Sequence, residues 1–297
     1  AVCVTAHTFT VTFARSQQLV KCRRFFGVYF LEGGVFALLD VVAIVRTTVS
    51  KKPFIISVIG AGGKTTCIER IAEEVRRQGK KAAVVTTTHM WIPEKYSAVG
   101  RSWEESVKQM KEEGIVYCGL AAESEGKMVF PGQEGYQAIC SAADVVLVEA
   151  DGAKEMPVKF PDWSREPVIP ENTDTIILMF GLSALGRPPG EVCHRWALCR
   201  ALLDKEELDK EKGPDKEKGT EGKPNPITAQ KIMDKELLLF LLQYGYLRRL
   251  RLRFPKLPPL VLLNQADDEE KRRDGEWIRT KLEECGLICR VVQCKSP

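Results

Sequence analysis

The chain has 297 residues, 44% apolar and 28% charged, with a formal net charge of +4. That length suits one large domain or two small ones, and the composition is that of an ordinary globular protein. So small a charge gives no reason to expect nucleic acid or an anionic membrane as the main partner, and no run of ~20 uninterrupted apolar residues predicts a membrane span.

Residues 1–50 read as an N-terminal extension. Arg15, Lys21, Arg23 and Arg24 precede any acidic residue. A targeting leader has that pattern, and an unrelated extension fits it equally. A strand–helix rhythm begins near Pro53. Phe54–Ile59 is rich in β-branched residues, as a buried strand should be. A glycine loop follows, and then Thr66–Arg77 places Ile68, Ile71, Ala72 and Val75 at helical spacing. Gly79 stops that helix. Lys81–Thr87 is a second strand, which completes one parallel crossover unit.

Further strands are predicted at Asp144–Glu149, Thr175–Phe180 and Leu260–Asn264, with shorter ones at Ile115–Cys118, Met128–Phe130 and Leu287–Gln293. Helices are expected over Trp103–Glu113, Cys193–Leu203, Lys231–Tyr244 and Glu269–Cys285. The fold class is therefore α/β, a P-loop NTPase-like and mostly parallel sheet with helices on both faces. Residues 51–203 form its nucleotide-binding core and 227–297 its C-terminal part. Between them, 204–226 is almost entirely Lys, Glu, Asp, Gly and Pro. Such a segment buries too little apolar surface to offset its ordering entropy, so a flexible insertion is expected. Leu247–Phe254 alternates basic and apolar residues and fits an edge strand or a helix end.

The loop Gly60-Ala61-Gly62-Gly63-Lys64-Thr65-Thr66 carries the chemistry. Glycine allows positive φ and a close backbone approach to a phosphate. The free amides at a helix start, with the helix dipole, attract anions. Lys64 adds a charge for the β and γ phosphates, and Thr65 or Thr66 offers a hydroxyl to Mg²⁺. ATP or GTP with Mg²⁺ is the expected ligand. Val58 stands where the longer G-x-x-x-x-G-K-[ST] pattern has glycine. The short loop resembles that of ATP-dependent amide ligases of the cell-wall and folate type more than that of small GTPases.

An apolar strand ending in Glu149 and Asp151 is where a metal-holding carboxylate is expected, at the carboxyl end of a parallel strand. Lys154 can pair with either acid, and both acids can equally cap the next turn. Thr87 and Thr88 end another strand and can bind phosphate, Mg²⁺ or substrate. His89 beside them is a candidate acid, base or structural residue. Arg187 follows Thr175–Phe180 and can contact an anion or simply face solvent, and His194 and Arg195 lie nearby. Asn264-Gln265-Ala266-Asp267 is similar to the Asn-Lys-x-Asp element by which GTPases hold guanine. Its acids can also cap the helix that begins near Glu269. Ten cysteines without a C-x-x-C pair argue against a zinc knuckle and read as free thiols of a cytoplasmic protein. Cys285 and Cys289 could bind metal only with ligands from elsewhere.

Six segments in order are Ile-Ser-Val-Ile-Gly-Ala-Gly-Gly-Lys-Thr-Thr, Val-Val-Thr-Thr-Thr-His-Met-Trp, Val-Glu-Ala-Asp-Gly-Ala-Lys, Glu-Pro-Val-Ile-Pro, Gly-Leu-Ser-Ala-Leu-Gly-Arg-Pro and Leu-Leu-Asn-Gln-Ala-Asp. Together they resemble the YqeC-type selenium-dependent hydroxylase accessory family, from about Pro53 to the C-terminus. The resemblance implies a P-loop nucleotide-binding fold and a part in maturing bacterial molybdenum hydroxylases that need labile selenium. The client hydroxylase or its cofactor would be a partner. Three functions then compete. One is an Mg²⁺-dependent NTP hydrolase acting as a maturation factor. Another is an enzyme that uses ATP to activate a small selenium or molybdopterin compound. The last is a module that binds nucleotide or cofactor without turnover. In the first two, Lys64, Glu149 and Asp151 are the candidate catalytic groups, with Thr65, Glu149 and Asp151 on the metal.

Overall fold

The computed structural model describes residues 8–11, 20–25, 28–31, 53–123, 126–211 and 232–293. The first three stretches are the strands Thr8–Val11, Val20–Phe25 and Val28–Leu31, which pair antiparallel. The rest of residues 1–50, and residues 212–226 of the expected insertion, lie outside the described residues.

Seven parallel strands form the central sheet. In chain order they are β1 (Phe54–Gly60), β2 (Ala82–Thr86), β3 (Ile115–Tyr117), β4 (Val145–Glu149), β5 (Thr175–Gly181), β6 (Leu260–Asn264) and β7 (Ile288–Val291). Their order across the sheet is β7-β6-β5-β1-β4-β2-β3. β1 is thus flanked by β4 and β5, with Glu149 beside Val58 and Met179 beside Gly60. Because the strands are parallel, Gly60, Thr86, Glu149, Gly181 and Asn264 all end at one edge. That edge is the ligand crevice of an open α/β sheet.

Strand alternation sorts the core into two layers. Ile56 and Val58 pack with Cys67, Ile68, Ile71, Ala72 and Val75 of α1 (Lys64–Arg77). Ile55, Ile59, Val146 and Val148 turn to the other face. There they meet α2 (Trp103–Glu113), α3 (Gly132–Ala142), α4 (Trp196–Glu211) and a long helical run. That run comprises α5 (Lys235–Phe240), a π-helical stretch Leu241–Leu247 and α6 (Arg248–Arg253). α7 (Glu269–Glu284) completes this face with Ile278 and Leu282. A three-stranded antiparallel sheet of His89–Trp91, Leu120–Ala121 and Lys127–Val129 stands apart from the main sheet.

The structure departs from the sequence expectation in three places. α3 is an unexpected helix, because its two glycines dilute the helical signal of Tyr136 and Ile139. Gly135 is useful there, since an added Cβ would stand 2.6 Å from the Trp103 ring. α4 runs to Glu211, into the charged segment, whose first helix breaker is Gly213. Met128 pairs in the small sheet and not in the main one. Leu247–Phe254 takes the helical one of its two expected forms, with Leu250 inward and Leu252 exposed.

Leu147 sits at the middle of β4 with no exposed surface. Leu147→Ala is expected to destabilise the protein by about 2–5 kcal/mol, read from the urea midpoint at constant slope.

Candidate phosphate-loop site

The site grows from the end of β1. Gly60 adopts φ 89, and a Cβ there would meet the Met179 carbonyl at 2.1 Å, so the chain can turn here only as glycine. Gly63, at φ 109, is the N-cap of α1 and supplies no side-chain cap. The first turn of α1 also contains no acid. The opening amides of the helix and its dipole are therefore left for an external acceptor.

Lys64 is buried. Its ammonium donates to Gly60 O at 3.1 Å and lies 3.8 Å from Glu149 Oε1. Thr65, exposed at the cleft, donates to Glu149 Oε2 at 3.3 Å. Burial raises the pKa of Glu149, while Lys64 and Thr65 act to lower it. A hydroxyl and a carboxylate converging beside a lysine are hard oxygen donors of the kind Mg²⁺ takes, and a cation here would also favour the ionised Glu149.

Asp151 stands differently. It has no exposed surface. Its Oδ2 accepts from Gly60 N at 3.1 Å and from Tyr246 Oη at 2.6 Å, and its Oδ1 is held by Lys159. Lys159 also bonds Gly152 O and Glu166. Burial raises the pKa of Asp151, against the opposing charge of Lys159. Of the two acids expected on the metal, only Glu149 lines the cleft. Asp151 anchors the loop from behind, through its bond from the Gly60 amide.

The cleft encloses ≈ 700 Å³ and brings together Gly62, Gly63, Lys64, Thr65, Thr66, Thr88 and Glu149. His89 and His194 also line it. Ala61 is buried behind it, its amide bonded to Met179 O. Asn264 is buried too and donates to Gly62 O at 2.8 Å, so it shapes the loop. Thr87 turns away to donate to Val168 O at 2.7 Å. Arg187 is exposed outside the cleft, 3.8 Å from Glu191. Asp267 accepts from Gln293 at 2.9 Å and also stands outside. Gln265 does line the cleft, in left-handed conformation with φ 63, and accepts from Ser183 at 2.6 Å.

Three groups central to this site escaped sequence reasoning. Lys159 and Glu166 carry the buried ion network. Tyr246 reaches it from the π-helical stretch, where Trp163 donates to Gly245 O at 2.7 Å. The available signal was a lysine inside the apolar run Val158-Lys159-Phe160, which must find a partner if that run is buried.

The model of the family described as "YqeC protein" matches residues 56–197. Over these residues the chain is similar to the YqeC family. The match takes in every cleft residue except Gln265, and it ends before Tyr246 and Asn264. The chain is also 33% identical over 153 residues to "Uncharacterized protein YqeC" of Escherichia coli (strain K12). That alignment covers 50% of this chain and 59% of the relative, so the chain spans about three-fifths of the length of that YqeC protein. Among solved structures, the signal recognition particle 54 kDa protein from Aeropyrum pernix K1, in complex with GDP, is similar at 12% identity and a TM-score of 0.38. The alignment covers 89% of this chain and 50% of that one. Among the described residues, no group of three or more His, Cys, Asp or Glu could hold a metal ion. No described helix is long and apolar enough to cross a membrane.

His194 gives the site a pH signature. Burial, then the charges of Lys159, Arg195 and Lys154, push its pKa from 6.5 down to about 4, with Glu166 opposing. Between those values the unfolded chain binds a proton that the folded chain refuses. Stability should therefore fall as pH drops from 6.5 towards about 4. The urea midpoint of His194→Gln should lose less over that window than wild type; equal losses would contradict the assignment.

Proposed function

We propose that this chain binds a nucleoside triphosphate with Mg²⁺ at Gly60–Thr66. The observation that carries the reading is the start of α1: a left-handed glycine cap, no side-chain cap, no first-turn acid, and a buried lysine beside it. That combination leaves backbone donors and a positive dipole end for an external anion. In this reading Gly62, Gly63, Lys64 and Thr66 hold the phosphates. Thr65 and Glu149 hold Mg²⁺, with Asp151 behind them keeping Gly60 in place. Mg²⁺ would supply charge neutralisation between the phosphate oxygens.

The match to the YqeC family, with the resemblance in its motifs, supports a finer setting. The protein serves as an accessory factor in the maturation of selenium-dependent molybdenum hydroxylases, and nucleotide turnover drives or times that step. ATP and GTP both remain candidates. Asp267 stands outside the cleft, so the Asn-Gln-Ala-Asp segment as folded gives no support for a guanine clamp. A second reading, an enzyme activating a small molecule with ATP, is favoured by one observation. The cleft extends beyond the loop to Trp91, Lys127, Lys154 and Arg195.

Two substitutions test the site. Lys64→Ala should weaken Mg²⁺–nucleotide binding by about 10- to 100-fold, the worth of a hydrogen bond to a charged group. Glu149→Gln should remove the dependence of binding on Mg²⁺. Binding by Lys64→Ala equal to wild type, in a calorimetric titration with AMP-PNP and GMP-PNP, would sink the proposal.

A further inference from the structure

Five non-glycine residues among those described have a left-handed backbone: Tyr96, Lys154, Glu155, Arg195 and Gln265. The last four line the same cleft. A bulky side chain held at positive φ costs of order 1–3 kcal/mol, and such strain gathers at ligand clamps. None of these four belongs to the phosphate loop.

Arg195 is the least satisfied of them. Its Nη1 is buried and makes no hydrogen bond. Its ion-pair partner, Glu166 Oε2, stands 3.7 Å away and already takes Lys159 and the Gly152 amide. Burial raises the pKa of Glu166, but Lys159 and Arg195 outweigh it and hold this acid below its ordinary range. Oε2 of this carboxylate is thus shared by two closer donors, while the fork-shaped cation is left with one long contact. Lys154 is exposed at the same wall. Beside it Trp91 is 56% exposed, with Lys127 over its ring at 4.6 Å and its indole nitrogen on Glu155 at 3.3 Å. Lys64, by contrast, is already turned to Gly60 and Glu149. One cleft therefore holds two cationic centres built from different parts of the chain.

We propose that the second centre, Arg195 with Lys154, binds a small anion, a carboxylate or phosphate, at the same time as the nucleotide on the loop. This rests on the nucleotide reading above and specifies the co-substrate class: a small molecule bearing an anionic group, flanked by Trp91. Arg195 takes the anionic group in bidentate fashion, which gives Nη1 the hydrogen bond that it lacks. Lys154 adds a point charge.

The test titrates inorganic phosphate, and separately malonate, into the full chain saturated with Mg²⁺ and AMP-PNP or GMP-PNP. The readout is the added rise in melting temperature, with sodium chloride at equal ionic strength as control. Wild type should show the rise with phosphate, malonate or both; which probe works distinguishes a phosphate from a carboxylate ligand. Arg195→Met should weaken the anion by about tenfold or more while leaving nucleotide affinity within about twofold. Lys154→Met, at an exposed position, should weaken the anion by about threefold and guards against misfolding of the arginine variant. No rise in the loaded wild type, the same rise with chloride, or an unchanged rise in both variants would overturn the proposal. So would Arg195→Met losing nucleotide and anion equally, because the arginine would then grip the nucleotide's own phosphates. If neither nucleotide binds wild type, the nucleotide reading has failed. Phosphate on the nucleotide-free chain then decides: loss in Arg195→Met but not in Lys64→Ala supports the second site, and the reverse overturns it.

Discussion

A carboxylate with no access to solvent holds the beginning of the phosphate loop. Asp151 takes the Gly60 amide and the Tyr246 hydroxyl on one oxygen and the Lys159 ammonium on the other. Burying a charge is costly unless it is paired and fully hydrogen-bonded, and here every partner comes from a different element. β1 provides Gly60, the segment after β4 provides Asp151, the strand Val158–Lys159 provides Lys159, and the π-helical stretch provides Tyr246. Loss of the Lys159 or Tyr246 donor leaves an oxygen of Asp151 short of a hydrogen bond in a dry interior. The loop geometry is thus tied to the long helical run, whose Tyr246 lies 95 residues beyond Asp151.

That arrangement divides the labour between two neighbouring acids. Glu149 sits at the cleft with Thr65 and Lys64, where a cation can reach it. Asp151 is spent on architecture. Asn264 does a similar job from β6, fixing Gly62 O, so that both sides of β1 brace the glycines. The loop's glycines are braced from outside by Asp151 and Asn264 and from within by Lys64 on Gly60 O, while the opening amides of α1 take no side-chain cap. Pre-formed donors of this kind avoid the cost of ordering the site when an anion arrives.

Much of this was legible in the sequence, for a physical reason. Buried parallel strands must be nearly continuous apolar runs, and Phe54–Gly60, Val145–Glu149 and Leu260–Asn264 could hardly be anything else. The loop was legible because three glycines and a lysine between a strand and a helix have one economical use. What stayed hidden was long-range. No local pattern links Tyr246 to Asp151, or separates the cleft-lining Glu149 from Asp151 two positions later, which has no exposed surface. The π-helical turn that aims Tyr246 looks like plain helix in sequence, and the left-handed conformations of Lys154, Glu155 and Arg195 have no glycine to announce them. Conversely, Thr87, Arg187 and Asp267 looked like site residues, yet the fold turns each of them to another partner.

The central claim is that the polyphosphate, held by α1 amides and Lys64, carries the affinity. Calorimetric titration of the full chain with Mg²⁺–AMP-PNP and Mg²⁺–GMP-PNP, repeated with inorganic tripolyphosphate and with adenosine and guanosine, tests it most directly. The account predicts one site per chain for at least one nucleotide, competition by tripolyphosphate, and no measurable binding of either nucleoside. Nucleoside binding that tripolyphosphate leaves untouched, or no binding of either nucleotide at millimolar concentration, would contradict it.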